Sequence, residues 1–235
     1  NRPDHTMKFR DISRKIRAPL NRKSALNKLE RFHSRKRSIE ELIDMAIDFK
    51  TRGLYRVDSV QKREEILALA NAVDALKPKT IVEIGTCNGG TLFIWSNIAS
   101  ECVITCDLNV SKIRDKLYSA FPPPDSGCEV IPLAGDSHKQ EFLEKVKQSL
   151  NGRQVDFLFI DGDHTEEGVR SDYNMYSPLV RSGGIIAFHD ILEKQPVPGN
   201  QVFYFWEQIK QTTNSEEFVK DYDQIGFGIG IIRVE

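Results

Sequence analysis

The chain has 235 residues, a formal net charge of −1, and 40% hydrophobic and 29% charged side chains. These values are those of an ordinary soluble globular protein, and the length suffices for one sizeable α/β domain with an extension. No run approaches the roughly 18 apolar residues of a membrane span, and no secretory signal is visible, so we expect a cytoplasmic protein without a membrane span.

The first 38 residues form a basic arm, with 13 Lys and Arg against 3 Asp and Glu. Such a charge excess suits contact with an acidic surface, a nucleic acid, or a partner subunit of a homo-oligomer. It also suits a solvated helical extension that has no partner, so both interpretations stay open. Aromatic residues are scarce in the arm, where Phe9 and Phe32 stand alone, and this argues against a nucleic-acid partner.

Helical patterns come next, and an alternation of strands and helices follows them. Residues 24–50 and 58–77 place apolar side chains at helical spacing, and Pro78 ends the second pattern. Strands are predicted at 80–85, 102–107, 128–133, 155–160 and 184–189, and the helices after them at 89–99, 110–120, 137–150, 166–180 and 201–212. Two last apolar runs, 217–222 and 226–234, have a short connection and indicate an antiparallel hairpin.

Five βα units that end in a hairpin predict an α/β fold. The expected architecture is a doubly wound, mostly parallel sheet of seven strands, with an antiparallel last strand and helices on both faces. We assign residues 58–235 to this domain and residues 1–57 to a basic helical N-terminal extension. The four cysteines lack C-x-x-C pairs, and we expect reduced, buried thiols at Cys87, Cys102, Cys106 and Cys128.

The segment TIVEIGTCNGGT, residues 80–91, carries the strongest local signal. A buried strand ends at a glycine, and two more glycines precede a helix, so backbone N–H groups are free for an anionic or polar ligand group. The G-x-x-x-G-G spacing differs from the G-x-G-x-x-G of dinucleotide folds. The candidate ligand-binding residues are Glu83, Gly85, Thr86, Gly89, Gly90 and Thr91. The two threonines either bond a cofactor carboxylate or cap the helix.

Polar residues end the next two strands, at the edge where ligands of open α/β sheets bind. Asp107 ends the second strand, 22 positions after the first glycine of the turn, which is the place where an acidic side chain takes ribose hydroxyls. A tight turn with Asp136 and Ser137 follows the third strand. His138 comes directly after it and is interpreted as a surface residue of the first helical turn rather than a ligand.

The fourth and fifth strands end in a cluster formed by Asp161, Asp163, His164, His189 and Asp190. Carboxylates this close repel one another unless a cation neutralises them. Oxygen ligands suit Mg²⁺, and a histidine would also admit Mn²⁺, Fe²⁺ or Zn²⁺. His164 could act beside such an ion as a general base. The alternative is structural: Asp163 or Asp190 caps the next helix, and His189 is a hydrogen-bonded core residue.

These residues resemble the class I S-adenosylmethionine-dependent methyltransferases. VEIGTCNGGT is similar to their first motif, CDLN to their ribose-binding motif, and AGDS to the segment that approaches the adenine. The stretch FLFIDGDHTEEGVRSDYNMYSPLVRSGGIIAFHDI resembles the metal-dependent O-methyltransferase branch, which includes the macrocin-type sugar methyltransferases and the cephalosporin hydroxylase group. More distantly it is similar to the catechol O-methyltransferases. The resemblance covers about residues 58–235 and implies a Rossmann-like methyltransferase fold.

The resemblance also implies roles for individual residues. S-adenosyl-L-methionine would be the cofactor, with Asp107 at its ribose and Asp136 near its adenine. Asp161 would contact the cofactor and ligate a divalent metal, Mg²⁺ by the family pattern, and His164 would be the base. The pair His189-Asp190 would supply further metal ligands. His189 departs from the acidic-Asp or Asp-Asn pairs of the family, which leaves its role and the identity of the metal open.

The resulting prediction is an O-methyltransferase that acts on a hydroxyl of a small-molecule or glycosyl acceptor with help from a divalent metal. A nicotinamide-dependent oxidoreductase is the first alternative, against which the missing G-x-G-x-x-G and the antiparallel hairpin speak. A non-catalytic scaffold is the second, against which the intact Asp107, Asp136 and Asp161 speak. One sequence carries no code for the acceptor, because loops set acceptor specificity.

Overall fold

The computed structural model describes residues 5–235 apart from positions 52 and 111, and the side chains from residue 19 onward apart from 52, 54 and 111–113. The described helices are α1 His5–His33, α2 Ile39–Ile47, α3 Arg63–Ala75, α4 Gly90–Ile98, α5 Lys112–Tyr118, α6 Gln140–Leu150, α7 Glu166–Tyr176 and α8 Val202–Ile209. The strands are β1 Thr80–Ile84, β2 Cys102–Asp107, β3 Glu129–Ala134, β4 Val155–Ile160, β5 Val180–His189, β6 Ser215–Phe218 and β7 Ile229–Arg233. Short 3-10 turns cover Gly53–Tyr55 and Ser177–Leu179.

The seven strands form one sheet in the order β3-β2-β1-β4-β5-β7-β6. The first five are parallel, and β7 runs antiparallel to both β5 and β6. Chain order reverses between β1 and β4, so their carboxyl ends border the crevice where ligands of doubly wound sheets bind. The predicted doubly wound, mostly parallel sheet of seven strands with an antiparallel last strand is confirmed.

Two apolar layers cover the faces of the sheet. Alternate residues of each central strand point to opposite faces, so Ile81 belongs to one layer and Val82 to the other. Helices α1 to α5 supply the first layer, and α6 to α8 supply the second. Both faces are therefore buried, as the nearly continuous apolar runs in the strands of a parallel sheet require.

The N-terminal helices pack directly on the domain. The α1 residues Ala25, Leu29 and Phe32 are buried, and the Phe32 ring meets Phe93 of α4 edge-on at 5.5 Å. The predicted helical stretch over 24–50 is wrong at residues 34–38, which separate α1 from α2. Ser38 causes this break, because its hydroxyl caps α2 while Glu41 returns a bond to the Ser38 backbone N–H.

Other differences from the predicted elements are local. The helix predicted over 166–180 ends at Tyr176, because Pro178 has no N–H to continue it. The final hairpin is confirmed, but residues 219–228 form its connection in place of the predicted short one. Cys102 and Cys106 are buried, but Cys87 is exposed and Cys128 is only partly buried, so the prediction of four buried thiols is wrong at these two positions. Among the described helices, none has the length and apolar character that a membrane crossing requires.

Candidate functional site

A cavity of about 710 Å³ opens at the carboxyl ends of β1 to β5. Most of the predicted site residues line it: Gly85, Thr86, Gly90, Thr91, Asp107, Asp136, Ser137, Asp161, His164, His189 and Asp190. Glu83 and Gly89 do not line it. Parallel strands bring their carboxyl ends to one edge of the sheet, so residues that are far apart in the chain meet here.

The glycines of the turn make room for other segments of the chain. A Cβ atom on Gly85, which has a φ of +100°, would lie 2.0 Å from the Asp161 carbonyl oxygen. A Cβ atom on Gly90 would lie 2.4 Å from the backbone of Asp58. Gly85 therefore lets the end of β4 close against the turn, and Gly90 lets residues 58–61 cross over the start of α4. Both approaches shape the cavity wall.

Glu83 acts beneath the turn. Its buried carboxylate accepts a hydrogen bond of 2.6 Å from the Thr105 hydroxyl, which lies 2.5 Å from the Thr86 hydroxyl. Because the hydrogen of Thr105 is used on Glu83, Thr86 donates to Thr105 and keeps its lone pairs for the cavity. Burial raises the pKa of Glu83 to about 7. Glu83 thus influences the cavity through the orientation of Thr86.

Asp107 is held at the end of β2 by backbone groups. Its two carboxylate oxygens accept bonds from the N–H of Cys87 at 2.9 Å and of Asn109 at 3.1 Å. Cys87 has a φ of +45°, a conformation that aims its N–H at the carboxylate. The side chain is therefore fixed before any ligand arrives, which lowers the entropy lost on binding.

The turn after β3 is equally well fixed. The Asp136 carboxylate accepts the His138 N–H at 3.0 Å, and the Tyr176 hydroxyl donates to the Ser137 carbonyl at 2.8 Å. His138 precedes α6, which begins at Gln140, and its side chain lines the cavity. The prediction of a surface histidine in a first helical turn is therefore wrong. His138 directly follows the candidate residues Asp136 and Ser137, so extending that set by one residue would have included it.

Two carboxylates and two imidazoles converge at the other end of the cavity. His164 Nε2 lies 3.3 Å from Asp161 Oδ1, and His164 Nδ1 lies 3.6 Å from Asp190 Oδ2. His189 Nδ1 lies 3.3 Å from a carboxylate oxygen of each aspartate. Asp163 is exposed, and its carboxylate accepts the Thr165 N–H at 2.9 Å. The residue that caps α7 is Thr165, whose hydroxyl accepts the Gly168 N–H, so the alternative that Asp163 caps this helix is wrong.

The charges of this cluster compensate one another. Burial opposes ionisation of Asp161, but the His189 and His164 rings outweigh it and lower the pKa of this carboxyl. A hydrogen bond to Asp161 raises the pKa of His164. Burial alone would lower the pKa of His189, yet Asp161 and Asp190 raise it to about 9. Four ionisable groups can share this buried space only because positive and negative charges alternate.

Two amide side chains support the cluster, and neither was predicted from the sequence. Gln61 donates from Nε2 to Asp161 Oδ2 at 3.1 Å, and Asn200 donates from Nδ2 to Asp190 Oδ2 at 2.6 Å. Gln61 precedes α3 and Asn200 lies in the connection after β5, so neither follows a strand end directly. Both line the cavity.

The glycine turn at residues 85–91, Asp107 and the cluster around Asp161 all lie within residues 82–191. This segment matches the family model described as "Methyltransferase domain". The match covers just under half of the chain and shows that this segment is similar to methyltransferases. This match runs from the middle of β1 to just past the end of β5 and includes every motif that carried the predicted resemblance to methyltransferases, which is thereby confirmed.

Curated relatives of the chain match over about half of their own length. Uncharacterised protein R132 of Acanthamoeba polyphaga mimivirus is 31% identical over 120 residues, which are 47% of this chain and 51% of that protein. Ribosomal RNA large subunit methyltransferase E of Acinetobacter baumannii is 27% identical over 124 residues, 52% of this chain and 48% of the relative.

Solved methyltransferase structures share the fold. An O-methyltransferase from Bacillus cereus in complex with SAH aligns with a TM-score of 0.54 at 18% identity, over 85% of this chain and 92% of that one. TomG from Streptomyces achromogenes, in complex with SAM, aligns with a TM-score of 0.57 at 13% identity, over 86% of this chain and 92% of TomG. MycE, in complex with Mg, SAH and mycinamycin VI, aligns with a TM-score of 0.57 at 18% identity, over 85% of this chain and 55% of MycE.

Proposed function

We propose that the protein is an S-adenosyl-L-methionine-dependent O-methyltransferase that acts on a hydroxyl of a small-molecule or glycosyl acceptor with help from a divalent metal. One observation carries the proposal. The glycine turn, Asp107, the turn at Asp136, and the cluster around Asp161 all line a single cavity. At about 710 Å³ the cavity lies within the usual range of small-molecule sites.

The cofactor would lie along the ends of β1 to β4. Its methionine portion would meet the turn at Gly85, where the free lone pairs of Thr86 suit the ammonium group. Asp107 would take the ribose hydroxyls, and Asp136 with Ser137 would face the adenine. When bound, S-adenosyl-L-methionine supplies an activated sulfonium methyl group, so the protein's main task is to align acceptor and methyl group for in-line attack.

The cluster fits a divalent ion. Asp161, His164 and Asp190 each offer a ligand atom, and these atoms lie within 4.8 Å of one another. His189 is not in that group, but its Nδ1 lies 3.3 Å from an oxygen of each aspartate. We propose Asp161, His189 and Asp190 as the ligands and leave His164 free as a base, with Mg²⁺ favoured because carboxylate oxygens predominate. MycE, which shares the fold, is in complex with Mg. When bound, such an ion lowers the pKa of an acceptor hydroxyl and orients it.

His164 would be the general base. Its side chain is 40% exposed, whereas that of His189 is 5% exposed, so His164 is the imidazole that a substrate can reach. It would take the proton of the acceptor hydroxyl while the oxygen attacks the methyl carbon. S-adenosyl-L-methionine would supply the methyl group and keep the electron pair of the carbon–sulfur bond on sulfur, so that S-adenosylhomocysteine would be the second product. Asp161, hydrogen-bonded to His164, would stabilise the imidazolium that forms.

The acceptor would enter beside this cluster. Residues 58–61, Gln195, Pro196, Val197 and Phe227 line that end of the cavity and mix apolar surface with amide groups. This supports a small acceptor with an apolar body and at least one hydroxyl. A nucleic-acid acceptor is not proposed, although one curated relative is named as a ribosomal RNA methyltransferase. We retain the division into an extension, 1–57, and a domain, 58–235, and propose the extension as a surface for a second copy of the chain.

Calorimetric titration tests the cofactor assignment. S-adenosylhomocysteine should bind the full chain, and NADH should produce no heat. Binding of NADH without S-adenosylhomocysteine would favour the oxidoreductase instead. Asp161→Asn should abolish methyl transfer to a hydroxylated acceptor mixture, read by mass spectrometry, while the thermal melt stays cooperative. Asp125→Asn, at an exposed position outside the cavity lining, is the matched control.

A second experiment separates the two histidines. His189→Ala should weaken Mn²⁺ binding by at least tenfold in calorimetry, because a metal ligand is lost. His164→Ala should keep Mn²⁺ binding within about threefold and lose activity, because a base removed from outside the metal shell typically costs 10²–10⁴-fold in rate. If His164→Ala loses the metal and His189→Ala keeps it, the two roles are exchanged.

A further inference from the structure

Exposed apolar side chains gather at the mouth of the cavity. Among the side chains that the structure describes, seven large apolar ones are more than half exposed, and three of these line the cavity: Val60, Leu108 and Val197. Leu108 follows Asp107 and belongs to the end that the cofactor would cover. Val60 and Val197 lie at the acceptor end, and each is 63% exposed. Single apolar residues on a surface are ordinary, but a group of them at the edge of a cavity marks a binding surface.

Three segments that are far apart in the chain meet at this end of the cavity. Gly226 packs so closely on Pro196 that a Cβ atom on the glycine would lie 2.7 Å from the proline ring. The Lys62 ammonium lies 5.4 Å from the centroid of the Phe227 ring, which lines the cavity. Together these segments form the acceptor rim, which comprises residues 60–62, 194–197 and 225–227.

The aromatic wall of the acceptor rim is fixed before any ligand arrives. Gly226, Phe227 and Gly228 all have a positive φ, of 76°, 68° and 82°. This conformation is costly for a bulky residue and persists only where neighbouring groups hold it. Here the Gly226 N–H donates to a backbone carbonyl of the loop after β5 at 2.5 Å, and the Gly228 N–H donates to the buried Glu65 carboxylate at 2.9 Å. The Phe227 ring meets the His189 ring edge-on at 5.8 Å, so the wall connects the buried cluster to the acceptor rim.

Polarity falls from the bottom of the cavity to the acceptor rim. At the bottom, Gln61 and Asn200 donate hydrogen bonds to the two aspartates of the cluster. At the rim, the exposed residues Val60, Pro196 and Val197 present carbon atoms to solvent. Hydrocarbon that leaves water for such a surface gains free energy in proportion to the area it covers. A ligand that suits both ends therefore carries hydroxyl groups at one end and a hydrocarbon chain at the other.

We propose that the acceptor is a hydroxylated amphiphile, whose hydroxyl end enters the cavity while its hydrocarbon chain lies along the acceptor rim. This inference rests on the proposed function, since it assigns the acceptor of the same methyl transfer. The chain takes no part in the reaction and serves only to hold the acceptor. A fully buried methylene contributes about fourfold in affinity, and a rim that covers one side of the chain should contribute about half of that free energy, or about twofold per methylene.

A series of vicinal diols provides the test. The compounds 1,2-butanediol, 1,2-hexanediol and 1,2-octanediol are titrated by calorimetry into the full chain with Mn²⁺ and saturating S-adenosylhomocysteine, below the concentrations at which the diols aggregate. Affinity should rise about 16-fold from the butyl to the octyl compound. An affinity that is independent of chain length, or no binding of any diol, would overturn the inference and leave the proposed function standing. Failure of S-adenosylhomocysteine to bind would overturn the proposed function itself.

Variants separate the acceptor rim from other apolar surface. The double variant Val60→Ser and Val197→Ser should reduce the ratio of the octyl to the butyl affinity to less than about fourfold, because the chain loses two apolar contacts. The matched control is the pair Leu20→Ser and Tyr204→Ser, whose side chains are 68% and 52% exposed and do not line the cavity. The control pair should keep the ratio. An unchanged ratio in the rim pair, or an equal loss in both pairs, would overturn the inference.

Sedimentation velocity tests the other occupant of such a surface, a second copy of the chain. All four substitutions replace exposed side chains, so both pairs should keep a cooperative thermal melt and the oligomeric state of the wild type. If the rim pair dissociates an oligomer that the control pair keeps, the acceptor rim is an interface between copies and the inference is wrong.

Discussion

Glu83→Gln should change how the stability of the fold depends on pH. The Glu83 side chain is fully buried, and burial raises the pKa of its carboxyl from 4.5 to about 7. The folded state therefore binds more protons than the unfolded state between these values, so the free energy of unfolding falls as pH rises through this window. At about 1.4 kcal/mol per pH unit, the loss amounts to about 3 kcal/mol above pH 7. Glutamine keeps the shape and cannot ionise, which removes the loss.

Urea unfolding of the ligand-free protein at pH 5 and pH 8 measures this effect. The variant should exceed the free energy of unfolding of the wild type by less than about 1 kcal/mol at pH 5 and by about 3 kcal/mol at pH 8. Glu129→Gln, at an exposed position on β3, should follow the wild type at both values. Parallel loss of stability in wild type and Glu83→Gln would refute the reasoning. Affinity for S-adenosylhomocysteine should stay within about threefold, because the glutamine carbonyl still accepts the Thr105 hydroxyl.

Two further substitutions test how the cavity wall is built. Gly90→Ala should lower the melting temperature and weaken binding of S-adenosylhomocysteine in the same samples, because the new methyl group would displace residues 58–61; unchanged binding would contradict that account. Glu65 accepts bonds from the backbone N–H groups of Lys220 and Gly228 and from the Gln224 side chain. Glu65→Gln should cost about 1–3 kcal/mol in urea unfolding, since one buried donor loses its partner. The neighbouring Glu64→Gln, exposed, should cost less than about 1 kcal/mol.

Most of the fold was predictable because the strands of a parallel sheet have a recognisable pattern of apolar residues in the sequence. Strands buried on both faces appear as short β-branched runs, and each is separated from the next by a helical pattern, so the βα alternation from Thr80 onward determines the topology. Deviations arise where a side chain competes locally with the pattern. Ser38 caps α2 and so breaks a continuous apolar periodicity. Glu65 orders residues 219–228 as a connection, although they contain apolar residues suited to a strand.

The site residues were predictable only where a polar or ionisable side chain lies at the carboxyl end of a strand. Asp107, Asp161 and His189 fall at that edge by topology alone, whatever the details of packing. The pairing of His138 with Asp172 has no such rule, since Asp172 comes from the middle of a helix 34 positions further along the chain. An acidic residue at an apolar position, such as Asp172, contradicts the amphipathic pattern of its helix. Only the folded structure shows that the His138 imidazole lies beside it. A charge that breaks the amphipathic pattern of a helix beside a strand end is therefore a signal to search for, because a buried carboxylate is costly unless a neighbouring polar group compensates it.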